Sequence, residues 1–259
     1  NSSKTLTEKT VCFRCQKPGE LLFYKDKYPI VKCVSCGQIF TGLRLTAEAR
    51  KKFYNDRNYF EKMYGEFKLH PSKIWHRIVA RKRLRLIGHF KTKGKLLDIG
   101  CGYGVFLQVA KQKGWEVFGV ELSQSAVKYC QTVYNLNIFN GEIEDSNFPD
   151  QFFDVITGWD ILEHIPDPPP FLKAIRRLIK KDGILALSLP NIESLVAKFS
   201  GSKWWTLLPE EHLWHFSPET LTRLLHEQKY EIFLMAKRPF SGPNFTRIDG
   251  MVVFARPLP

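Results

Sequence analysis

The chain has 259 residues, of which 44% are hydrophobic and 25% charged, and its formal net charge is +13. That length supports one sizeable core with an appendage. No run of 18 apolar residues is present to span a membrane, and the basic excess favours anionic partners over cationic ones.

The first ten residues, NSSKTLTEKT, are polar and lack the apolar stretch of a signal peptide; the start without Met is compatible with removal of an upstream segment. Cys12-x-x-Cys15 and Cys33-x-x-Cys36 then form two knuckles 17 residues apart, a spacing at home in zinc ribbons. Gly37 allows a tight turn that aims backbone N–H groups at thiolate sulfur. Four thiolates around Zn²⁺ would order residues 1–40, which hold too few apolar side chains for a core of their own. With all four positions filled by protein, the expected ion is structural. Reduced thiols point to a cytoplasmic protein.

Residues 41–90 read as a helical linker or lid. Phe53, Tyr54, Tyr59, Phe60, Tyr64 and Phe67 are dense here, and Tyr59 or Tyr64 is placed to close over a cleft. Residues 68–95 carry ten Lys or Arg and no acid. Helical spacing puts Arg77, Arg81, Lys82, Arg83 and Arg85 opposite Trp75, Ile78, Val79 and Leu86. The basic helix, residues 73–95, is thus either a solvated face or a surface for RNA or another anionic ligand.

Residues 95–99 form a short buried strand, and a helix is expected from Tyr103 onward. Between them Gly100, Cys101, Gly102 and Gly104 let the backbone turn tightly and let a ligand approach. A dinucleotide site would show G-x-G-x-x-G, but Val105 stands where its third glycine would be. Asp98 precedes the loop, and a carboxylate there suits a ligand carrying an ammonium and a sulfonium, such as S-adenosylmethionine.

A second strand, 115–120, leads to Glu121 and Leu122, with the acid placed for two ribose hydroxyls. Ser123 caps the next helix. Strands follow at 137–140, 153–158 and 184–189, with a helix capped by Asp167 and opened by prolines between the last two. Ser217-Pro218 starts another helix, and 230–236 with 251–255 make a final antiparallel pair. Strands alternating with helices imply a doubly wound parallel sheet.

From about Leu84 onward the chain resembles the class I S-adenosylmethionine-dependent methyltransferases through LLDIGCGYG, GVELS, GEIED, FDVITGWDILEHI, KKDGILALSLPN and HLWHFSPETLTRLL. The resemblance implies a Rossmann-like, seven-stranded doubly wound sheet with an antiparallel last strand. It further implies that Asp98, Gly100, Gly102 and Gly104 hold the methionine moiety and Glu121 the ribose. Glu142 and the Ile143 backbone would meet the adenine, and Trp159 and Asp160 would line the methyl-donor pocket.

Two histidine stretches lie on the expected functional rim: Glu163-His164 after strand four, and Glu211-His212-x-x-His215-Phe216-Ser217 beyond strand five. The second is similar to the E-H-x-x-Y-F-S stretch of zinc-ribbon sugar methyltransferases, with His215 in place of tyrosine. That family also has a histidine comparable to His164 and tyrosines comparable to Tyr54 or Tyr59. His212 is the expected base, with His164, Glu211, His215 and Tyr59 as further candidates.

Residues 91–259 form the catalytic domain, with an acceptor-lid insertion at about 192–217. The expected function is O-methylation of a small hydroxylated metabolite: sugar, nucleotide-sugar or quinone-like. RNA methylation and a non-catalytic cofactor-binding module are the alternatives. Nothing in the sequence sets an oligomeric state.

Overall fold

The computed structural model describes residues 6–55, 72–237 and 249–259. Tyr59, Phe60, Tyr64 and Phe67, with the expected roles of Tyr59 and Tyr64, lie outside the described residues. Five short strands come first: β1 (Thr7–Lys9), β2 (Gly19–Lys25), β3 (Tyr28–Cys33), β4 (Ile39–Thr41) and β5 (Leu43–Leu45). Helices α1 (Ala47–Asn55) and α2 (Ser72–Gly88) follow. The larger unit runs β6 (Lys95–Ile99), α3 (Val105–Gln112), β7 (Glu116–Glu121), α4 (Gln124–Tyr134), β8 (Asn137–Asn140), β9 (Phe153–Trp159), α5 (Pro168–Leu178) and β10 (Ile179–Pro190). It closes with α6 (Leu195–Ser200), β11 (Trp214–His215), α7 (Pro218–Glu227), β12 (Tyr230–Lys237) and β13 (Gly250–Pro257).

Seven strands form one sheet in the order β12-β13-β10-β9-β6-β7-β8. Strands β10, β9, β6, β7 and β8 are parallel, and β13 runs antiparallel to both its neighbours. Helices cover both faces, which is why the central strands are apolar without alternation. Leu97, Ile156 and Leu185 face Phe171 and Ile175 on one side, whereas Leu96, Val155 and Ile184 face Phe106 and Leu107 on the other. The winding reverses between β6 and β9, so the ligand crevice opens at their carboxyl ends.

Local details differ from the sequence reading. Helix α3 starts at Val105, not Tyr103, because Gly104 occupies the N-cap with φ 69°. The Asp167 side chain makes no cap hydrogen bond; prolines with a fixed φ open α5 instead. Strand β10 begins at Ile179, well before 184, with a register irregularity between Ile179 and Ile184. The Ser123 cap and the Ser217–Thr220 capping box are both formed.

The largest departure concerns the N-terminal ribbon. Its sheet has the order β11-β4-β3-β2, so a strand from beyond β10 completes it, pairing Trp214 with Phe40 and His215 with Ile39. Strand β5 also returns to pair with β1. The ribbon sheet therefore takes in Thr41 and a strand from the 192–217 insertion, which packs over it. The reason is the shortage of apolar side chains within the ribbon. Ile30 shares a buried cluster with Ala197, Trp204 and Leu207 of the insertion, and Phe13 and Phe40 meet the Trp214 ring at centroid distances of 4.8 and 5.7 Å.

Buried Asp249 anchors this insertion, accepting from Trp204 Nε1 at 2.7 Å and from Thr206 Oγ1 at 2.8 Å. Asp249→Ala would strand both donors away from water, at a cost of about 1–3 kcal/mol each at most. A lower melting temperature with unchanged donor affinity is the expected result, read by calorimetry and titration. No helix among the described residues is long and apolar enough to cross a membrane.

Candidate active site

The crevice is built around the turn after β6. Gly100, Gly102 and Gly104 all have positive φ, at 68°, 52° and 69°, a region L side chains rarely adopt. The turn is pinned to the neighbouring strand end: Gly100 N and Cys101 N donate to Val120 O at 2.8 and 3.2 Å. Cys101 and Cys130 are buried, and the Cys130 thiol reaches Gly102 O at 3.2 Å. A side chain at Gly100 would overlap Ile161, and one at Gly104 would press on Cys130 and Leu136.

Two carboxylates flank this turn. Asp98 is buried on β6, where Thr157 of β9 donates to it at 2.6 Å. Burial pushes its carboxyl up to about 7, against the pull of Thr157 and the Arg83 guanidinium. Glu121 ends β7 and accepts from Gly102 N and Ser123 N, each at 2.8 Å. Burial raises its pKa too, opposed by N–H groups of Ser123, Gly102 and Leu122. Asn140 closes the corner by donating to Glu121 O and Leu122 O. Further out, Glu142 is exposed and meets Arg50 of α1 at 2.9 Å, while Ile143 is buried beneath it.

Trp159 and Asp160 leave β9 as expected, and Asp160 adopts φ 58° with its N–H on Ser188 O. Arg83 meets them. Its guanidinium lies 4.6 Å from the Trp159 ring centroid and 3.2 Å from Asp160. The reading that placed Arg83 on an outward basic face is thereby corrected. Its signal was available: Arg83 lies three residues after buried Ala80 and four before buried Ile87, on their side of the helix. Arg77, Lys91 and Lys95 are engaged with Gln112, Asp182 and Glu116. The expectation of RNA or another anionic ligand along residues 73–95 gains no support from this arrangement.

The two histidine stretches do converge. His164 and His212 stand edge to face with ring centroids 4.7 Å apart. Tyr54 of α1 lies 3.1 Å from His164 Nδ1, and the Glu211 backbone lies beside the ring. Loss of solvation depresses the His164 pKa to about 4 and raises that of Tyr54. Glu211 thus meets His164 through its backbone. His215 stands apart from this pair: it is buried against Thr41 at 3.2 Å, and burial lowers its pKa to about 4. Tyr54, one of the two tyrosines singled out by resemblance, stands at His164, whereas Arg50, Thr41 and Thr157 joined the site through contacts that sequence spacing does not encode.

Among the described residues, two side-chain clusters could hold a metal ion. The ligand atoms of Cys12, Cys15, Cys33 and Cys36 all lie within 4.8 Å of one another, as do those of Glu163, His164 and His212. None of the four thiols is in a disulfide, and Cys12 Sγ and Cys36 Sγ are 3.6 Å apart. A tetrahedral Zn–S distance of about 2.3 Å requires sulfurs roughly 3.8 Å apart, so the set fits zinc. Burial opposes ionisation of Cys36, yet the Gln38 N–H and the neighbouring thiols bring its pKa down to about 7.

A family model described as a methyltransferase domain matches residues 73–233, more than half of the chain. The chain belongs to the class I S-adenosylmethionine-dependent methyltransferases. Over 105 residues the methyltransferase is 37% identical to a ubiquinone biosynthesis O-methyltransferase from Coxiella burnetii, covering 38% of this chain and 45% of that protein. A protein of the same description from Pseudomonas aeruginosa is 32% identical over 104 residues, with 38% and 44% covered. The methyltransferase thus matches less than half the length of these curated relatives. Methyltransferase structures from Aquifex aeolicus and Archaeoglobus fulgidus superpose with TM-scores of 0.58 and 0.55. They are 18% and 22% identical, cover 78% and 76% of this chain, and are themselves 99% covered, so the likeness is one of fold.

Proposed function

We propose that this enzyme methylates a hydroxyl oxygen of a small acceptor, a sugar, nucleotide-sugar or quinone-like metabolite, seated between Asp160 and the His164–His212 pair. The convergence of two imidazoles 4.7 Å apart beside the donor crevice carries the reading. The names of the O-methyltransferase relatives agree with it.

S-adenosylmethionine supplies an electrophilic methyl group, which leaves its sulfur as the acceptor oxygen bonds to the methyl carbon. For that donor, Asp98 would hold the ammonium and Arg83 the carboxylate of the methionine end. Gly100, Cys101, Gly102 and Gly104 would line its backbone side. Glu121 and Leu122 would meet the ribose, Glu142 and Ile143 the adenine, and Trp159 and Asp160 the sulfonium side. His212 accepts the proton from the acceptor hydroxyl, and His164, fixed by Tyr54 and the Glu211 backbone, walls the site. Cys12, Cys15, Cys33 and Cys36 would hold a structural Zn²⁺.

Incubating the protein with methyl-labelled donor and fractionated cell extract tests this. Label is expected in small hydroxylated molecules as an ether that survives mild base. Label in RNA or protein alone would overturn the acceptor class.

A further inference from the structure

We propose that the four-cysteine ribbon is a working part of the acceptor site, with Thr41 as the positioning residue that aims the His212 imidazole. This rests on the reading of His212 as the base. A base must be held within about half an ångström of its productive place, and loops achieve that only with support. His212 lies on a loop, and the ribbon supplies the support.

Thr41 is fully buried at the end of β4. Its hydroxyl donates to the His212 carbonyl at 2.8 Å, and its N–H donates to Leu213 O at 2.9 Å. The single hydroxyl proton being used, Thr41 accepts from His215 Nε2 at 3.2 Å, which places the His215 proton on that nitrogen. His215 is thus a brace for the histidine three residues before it. Gln38 extends the brace toward the cysteines: its side chain donates to His215 O and Ile39 O, and its carbonyl accepts from Cys33 N at 2.9 Å.

A second line of contacts leaves the other knuckle. Phe13, between Cys12 and Cys15, packs edge-on against Trp214, whose indole N–H donates to Ile165 O at 2.7 Å. Leu213 N bonds Glu163 O at 2.8 Å. His212 is therefore bonded directly to Thr41 of the ribbon, and the chain neighbours of His164, Glu163 and Ile165, are bonded to Leu213 and Trp214 beside it. Side chains that merely covered a ribbon would pack by shape; these bonds set backbone direction at His212 itself.

Thr41→Val keeps the shape and deletes both hydroxyl bonds. It is expected to lower kcat about 10- to 100-fold, since small misplacements cost that much, while donor affinity stays unchanged and Thr41→Ser restores the rate. Amide exchange at residues 213–215 should rise in Thr41→Val, and equally in protein stripped of metal by a chelator, with exchange at 100–104 unaltered. Wild-type kcat in Thr41→Val, or native exchange at 213–215 after metal removal, would overturn the inference. His212→Ala is measured alongside. If that variant is active, the base reading fails first; if it is dead while Thr41→Val is fully active, only the positioning role fails.

Discussion

Replacing His212 with alanine is expected to lower kcat by roughly 10²–10⁴-fold and to leave affinity for S-adenosylmethionine nearly intact. The donor contacts assigned above lie on β6, β7, β9 and α2 and on the turns that follow β6, β7, β8 and β9, away from the loop that carries His212. What the variant loses is the acceptor for the hydroxyl proton. His164 is no substitute, because burial holds its pKa near 4 and makes it a weak base at neutral pH. The same burial gives a pH signature. His164 is harder to protonate folded than unfolded, so its contribution to stability is present above about 6.5 and fades as pH falls toward 4. Single-turnover rates with labelled donor separate the chemical step from binding. Wild-type turnover in His212→Ala would refute the assignment.

The second large effect is expected on the donor side. Asp98→Asn should weaken S-adenosylmethionine binding about 100-fold, the order expected for losing a buried charge from a close ammonium partner. The isosteric amide leaves room and packing unchanged, so the loss reads charge alone. Because the Asp98 carboxyl sits near 7 without a bound cation, wild-type affinity should rise between pH 6 and 8, with a proton released on binding. Asp98→Asn should bind weakly at every pH.

Stability should move the other way. The folded pKa of about 7 lies above the ordinary 3.8, so the folded chain holds an extra proton between those values. The contribution of Asp98 to stability is complete below about 4 and is lost as pH rises through 7. At pH 8 the asparagine variant should melt no lower than the wild type while binding far less donor. Titration calorimetry and thermal melts across pH provide the check, and a pH-independent wild-type affinity would count against this account.

Much of the donor half was legible because its signals are local. A buried strand, an acid two residues before a glycine turn and a capped amphipathic helix are each written within about ten residues, and β6, α3, β7 and α4 appear close to where these signals put them. The paired cysteines were readable for the same reason: two short knuckles carry the chemistry of the set. Asp167 shows the limit of local reading, since its capping residue type is right and its side chain makes no cap bond.

The acceptor half depends on partners far apart in the chain. Thr41 and His212 are 171 positions apart, Tyr54 and His164 are 110, and Arg83 and Asp160 are 77. No chain spacing links such pairs; Thr41 meets His212 because the ribbon borrows β11 and the insertion to cover itself. By itself the sequence determined the sheet, the glycine turn with its two acids and the thiol set, all products of short-range patterning. Only the tertiary structure decided that Arg83 meets Trp159 and Asp160, that His215 packs against Thr41, and that His212 stands beside His164. Those outcomes follow from burial and hydrogen bonding between surfaces that exist only once the chain has folded.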